Sequence, residues 1–81
     1  MSATPSQLAA LKWLRNRNAD GVFDKFGVLV AAGECAPVRR RTWGRLSAYG
    51  YTEIYSKRRL RVTPAGMAVD LSKIQESQSH A

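Results

Sequence analysis

Three prolines, Pro5, Pro37 and Pro64, decide where helices can begin in this chain of 81 residues. Proline lacks an amide hydrogen and has a fixed φ, so an α-helix accepts it in its first turn and breaks at it elsewhere. Two of the three follow threonine, as Thr4-Pro5 and Thr63-Pro64, which is a cap-plus-proline start. Gln7 stands where a capping box with Thr4 needs it. Leu8, Leu11 and Leu14 then recur at spacing three, Ala10 widens the stripe, and Asn18 to Gly21 is a stop signal. A helix is therefore expected from about 5 to 18. Pro37 opens a second, over 37–49: Val38, Thr42, Leu46 and Tyr49 share one face, Trp43 sits on its shoulder, and Gly50 supplies a left-handed cap. Past Pro64, Met67, Leu71 and Ile74 at i, i+4 and i+7 predict a short third helix, able to close the core or to form a seam with a second copy in a homodimer.

The stretch between the first two helices reads in two ways. Val22-Phe23, Asp24-Lys25-Phe26-Gly27 and Val28-Leu29-Val30-Ala31 make a β-hairpin whose turn has Asp first and Gly where a positive φ is needed. The same residues put Phe23, Phe26 and Val30 on one side of a helix; the valines favour the hairpin. A second hairpin is better marked. Thr52-Glu53-Ile54-Tyr55 has strand composition, Ser56-Lys57-Arg58-Arg59 is a polar loop, and Leu60-Arg61-Val62-Thr63 alternates apolar with polar. Residues 1–74 are expected to form one domain around one modest core, and 75–81 a disordered tail.

Charge is concentrated rather than spread. Residues 37–62 hold Arg39, Arg40, Arg41, Arg45, Lys57, Arg58, Arg59 and Arg61 against Glu53 alone, a net of +7 that equals the net of the whole chain. Such a cluster makes the local positive potential of a phosphate-binding surface. Seven of the eight cations are arginine, whose planar donor fork matches phosphate oxygens and the O6/N7 edge of guanine. On a helical wheel Arg40, Arg41, Gly44, Ser47 and Ala48 lie opposite the apolar face of the second helix, with Arg45 at the edge.

Other chemistries lack their residues. With Cys35 the one cysteine and His80 the one histidine, there is no disulfide framework, no structural zinc set and no Cys–His nucleophile. No glycine-rich phosphate loop follows a strand, and no Ser–His–Asp set can be assembled, so neither an enzyme nor a cofactor is expected. The longest apolar run, Val28 to Ala32, is too short for a membrane span, and Met1 to Ser6 has no signal-peptide pattern; a reduced, cytoplasmic setting is expected.

The run Thr42-Trp43-Gly44-Arg45-Leu46-Ser47-Ala48-Tyr49-Gly50-Tyr51, followed by Arg59-Leu60-Arg61-Val62-Thr63-Pro64-Ala65-Gly66, resembles the winged helix-turn-helix family of DNA-binding domains. The resemblance covers residues 42–66, about a third of the chain. It implies a single small α+β winged-helix domain, helices plus a β-hairpin wing, that binds double-stranded DNA as a transcription regulator or accessory factor. Residues 37–49 would be the recognition helix in the major groove, with Arg40, Arg41, Gly44, Arg45 and Ser47 facing the DNA. Lys57, Arg58, Arg59 and Arg61 would be the wing on the backbone or in the minor groove. Such folds place another helix ahead of the recognition helix, where this chain reads as a hairpin. The same basic surface also suits docking on an acidic protein partner or a nucleoprotein complex.

Overall fold

The computed structural model describes residues 3–76. Their elements run α1 (Pro5–Arg15), β1 (Asp20–Phe23), β2 (Leu29–Ala31), β3 (Glu34–Cys35), α2 (Arg40–Ala48), β4 (Thr52–Tyr55), β5 (Arg59–Val62) and α3 (Pro64–Met67). All five strands join one antiparallel sheet in the order β3-β2-β1-β5-β4, so the protein is α+β. No helix among the described residues is long and apolar enough to cross a membrane.

Each hairpin has a local cause. Asp24 Oδ1 accepts the amide hydrogens of Phe26 (2.8 Å) and Val28 (3.0 Å), and Gly27 takes a φ of 80°, so the β1–β2 turn is built as the sequence predicts. β3 is an addition. Ala32 and Gly33, at φ 52° and 79°, supply the two positive angles of a two-residue hairpin turn, a conformation alanine seldom adopts. Between α1 and α2 the described chain therefore holds strands and turns, and no further helix stands there.

Helix limits differ from expectation. α1 stops at Arg15 because Asn18 and Ala19 turn to positive φ, 69° and 57°. Its start is as predicted, a Thr4–Gln7 capping box with both hydrogen bonds made. α2 begins at Arg40 rather than at Pro37, because Ala36 still donates to the Leu29 carbonyl (2.7 Å) and keeps the chain on the sheet. α3 is a single turn, not the amphipathic helix through Ile74. Beyond it, side chains of α1 take the carbonyls a helix would use: Arg15 donates to Val69 O (2.7 Å) and Lys12 to Leu71 O (3.1 Å) and Ile74 O (2.6 Å). Leu71 is buried and Ile74 packs against the core, while Met67 is exposed, so these three do not form one seam. Glu76 is bound to Asn16 and Arg17, within the stretch expected to fray; 77–81 lie outside the described residues.

The sheet has one covered face. Phe23, Leu29, Ala31, Leu60 and Val62 turn inward against Ala10, Leu11, Trp13 and Leu14 of α1 and Trp43 and Leu46 of α2. At about 1.5–3 kcal/mol for each large side chain fully buried, this layer is the main source of stability. Alternate residues Val22, Tyr55, Arg59 and Arg61 occupy the opposite face, with no helix over them.

Candidate nucleic-acid interface

Trp43 and Leu46 set the rotation of α2, since both are fully buried. Arg41, Gly44, Arg45 and Ala48 consequently form an exposed stripe at i, i+3, i+4 and i+7, with Arg40 exposed beside it. Gly44 has open space around it, with no atom within 4 Å of where a Cβ would stand, so it serves no packing contact. Ser47 is a correction. It lies four residues after Trp43, on the flank of the buried face, and its hydroxyl is 2.8 Å from that of Thr52 on β4, which in turn donates to Trp43 O. Ser47 thus ties α2 to the sheet instead of joining the exposed stripe.

The first turn of α2 is electrostatically unusual. Arg39 is the N-cap and makes no side-chain cap bond, Arg40 and Arg41 follow, and the turn contains no acid. A helix N-terminus carries a partial positive charge from its free amide hydrogens, and three cations there add repulsion that an anion would relieve.

Eight cations of residues 37–62 divide into two groups. Arg61 is paired with Glu53, and Arg59 Nη2 lies 3.9 Å from Asp20 Oδ1 while its Nε donates to Tyr55 Oη (3.1 Å). Tyr55 donates its hydroxyl hydrogen to Asp20, and the Arg61 guanidinium stacks 4.7 Å from the Tyr55 ring centre. This patch is on the outer sheet face, away from α2, and is neutralised within itself. Arg39, Arg40, Arg41, Arg45, Lys57 and Arg58 have no ion pair among the described residues. The sequence-predicted wing is therefore split: Lys57 and Arg58 are exposed at the β4–β5 tip, and Arg59 and Arg61 belong to the sheet's own charge network.

Topology brings the β4–β5 tip with Lys57 and Arg58 and the start of α2 to one end of the molecule, while Arg45 stands further along, in the last turn of that helix. Val22 pairs with Arg59, and the Phe23 amide donates to Arg58 O (2.7 Å), so the β1–β2 and β4–β5 tips lie side by side. The α2 N-terminus adjoins them: the Arg40 guanidinium is 5.1 Å from the Phe23 ring centre, and its Cδ would be 3.7 Å from a Cβ on Gly27. Arg39, Lys25 and Phe26 join this end although sequence reasoning did not assign them to the site. The signal for Lys25 and Phe26 was the Asp24…Gly27 turn, which makes them the tip of the first hairpin. No group of three His, Cys, Asp or Glu that could hold a metal occurs among the described residues.

Comparison with protein-family models, with curated proteins and with solved structures returns no match to this chain.

Proposed function

We propose that this protein binds double-stranded DNA, with the exposed stripe of α2 in the major groove and the β4–β5 tip on the phosphate backbone, in the manner of a recognition helix and wing. The observation that carries this reading is the segregation of cations within residues 37–62: the six without an ion pair, five arginines and Lys57, are on α2, its N-cap and one adjacent hairpin tip, while the outer-face arginines are matched by acids. An exposed glycine in a helix that has no packing use for it adds support, because it lets a phosphate or base edge approach the helix backbone. So does the arginine-loaded N-terminus of α2, which gains most from a phosphate. Relative to the winged-helix pattern, the β1–β2 hairpin stands where that family has a helix, and the proposal concerns the recognition-helix and wing half of it. In functional terms the protein would be a transcription regulator or accessory DNA-binding factor, reading sequence with Arg40, Arg41 and Arg45.

Fluorescence-anisotropy titration of a random-sequence duplex at several salt concentrations tests it. Non-specific binding with a dissociation constant of about 10⁻⁴–10⁻⁶ M is expected, with log affinity falling against log salt at a slope of roughly −4.5 to −5.5 for five or six phosphate contacts. Absence of binding at low salt would overturn the reading and turn attention to an acidic protein partner.

A further inference from the structure

Phe26 is the most exposed large apolar side chain among the described residues, 79 % accessible, where Val22, Ile54 and Met67 keep half or more of their surface covered. It is also firmly presented. Its own amide hydrogen is held by Asp24 Oδ1, Gly27 donates to Asp24 O (3.0 Å), and Asp24 donates to Val28 O (2.8 Å), so the turn is closed on both sides of the ring. Cations surround it: the Lys25 ammonium is 5.2 Å from the ring centre, Arg40 adjoins Gly27, and the Lys57–Arg58 tip is on the neighbouring hairpin. An uncovered aromatic ring on a hydrogen-bonded turn beside unpaired cations suits a partner that is anionic outside and apolar between stacked layers. Duplex DNA is such a partner.

We infer that the β1–β2 tip is a second DNA-contacting element, in which Phe26 enters the minor groove as a wedge and parts a base step while Lys25 holds a flanking phosphate. The inference rests on the duplex-binding reading above and adds a deformation of the DNA that a recognition helix and wing do not by themselves require. It also adds a preference: pyrimidine–purine steps such as TA and CA part most easily, so sites with such a step under the tip bind best, without any hydrogen bond to a base.

The experiment uses the full chain and duplexes carrying a donor and an acceptor dye at opposite ends, one set with a central TA step and one with an A-tract. The unaltered protein is expected to shorten the end-to-end distance and to favour the TA duplex. Phe26→Ala is expected to bind about 5- to 150-fold more weakly, the range found when an aromatic stacking contact is removed, and to lose the bend. Its salt slope should stay that of the parent, because a phenyl ring displaces no counterions, whereas Lys25→Ala should flatten the slope. Phe26→Trp, which keeps a wedge, should keep the bend. If the parent binds duplex DNA without bending it, or if Phe26→Ala binds and bends as the parent does, the wedge is overturned and the duplex-binding reading stands. If the parent binds no duplex at any salt concentration, both fall together.

Discussion

The same substitution, glycine to alanine, separates a structural position from a surface one in this protein. A Cβ on Gly66 would run into the Tyr51 carbonyl and come 2.8 Å from Val62 Cγ1. The carbonyl cannot swing aside, because it accepts the Thr63 amide hydrogen (3.0 Å), and Thr63 in turn caps α3 by accepting from the Gly66 amide (3.1 Å). Gly66→Ala is expected to destabilise the fold by about 1–3 kcal/mol, the usual effect of forcing atoms into a packed site. Gly44 is the reverse case: it is exposed within a nine-residue helix and nothing surrounds it. Gly44→Ala should therefore stabilise by about 0.5–1 kcal/mol, from backbone entropy alone. Urea denaturation of the two variants gives both signs, and a loss of stability in Gly44→Ala would contradict the open environment. Under the proposed function that stabilised variant binds duplex DNA more weakly, since the added methyl group stands where the backbone meets the groove.

Among the elements, the segment after α3 is the one whose form depends on charge. Lys12, Arg15 and Arg17 of α1 and its C-terminal turn bind Val69 O, Leu71 O, Ile74 O and Glu76, so an irregular strap replaces a helix. Hydrogen bonds from Arg17 first and from Asn16 hold the Glu76 carboxyl below the ordinary glutamate range, and the Ser72 amide does the same for Asp70. A carboxyl whose folded pKa is depressed adds stability above its unfolded pKa and loses it as pH falls through the folded value. The strap is thus expected to loosen on acidification from about pH 5 downward, before the sheet does. Amide exchange followed by NMR should show protection of the Ser72 and Ile74 amides falling first, and Glu76→Gln should weaken protection at Ile74 already at pH 7. Unchanged exchange in Glu76→Gln would mean that the backbone contacts of Lys12 and Arg15 hold the strap unaided. This segment also marks the limit of what the sequence discloses. The capping box at Thr4 and the Asp24–Gly27 turn are legible because each is closed by residues within four positions of one another. The Met67, Leu71, Ile74 spacing misleads because carbonyl partners some sixty positions away decide the backbone. β3 is hidden for a different reason, an alanine held at positive φ by the strand pairing around it. Ser47 is misread because a wheel centred on Val38, Thr42, Leu46 and Tyr49, with Trp43 only on its shoulder, is rotated from the true one, which is fixed by two fully buried residues, Trp43 and Leu46.

At the scale of the whole molecule, a net charge of +7 says less than its division into matched and unmatched cations. Composition shows eight basic residues in one stretch; only the sheet register, which sets Arg61 against Asp20 and Glu53 and Arg59 against Val22 and Tyr55, reveals that two are spoken for. Two double substitutions isolate the difference, since each removes two positive charges from the chain. Lys57→Ala with Arg58→Ala takes them from the exposed tip, and should weaken binding to any duplex and flatten the log–log salt slope by about 2. Arg59→Ala with Arg61→Ala takes them from the outer face, and should leave the slope unchanged because no phosphate contact is lost. Arg41→Ala differs from both in kind. Lying on the exposed stripe near the start of α2, it is expected to weaken a selected site by roughly 1–3 kcal/mol while relaxing its sequence preference. Equal slopes for the two double variants would mean that long-range potential, not contact, governs binding, and the division into matched and unmatched cations would then carry no functional meaning. A slope that flattens only for the tip variant would make the α2 N-terminus and the hairpin tips the face that meets DNA, and leave the outer sheet face turned away from it.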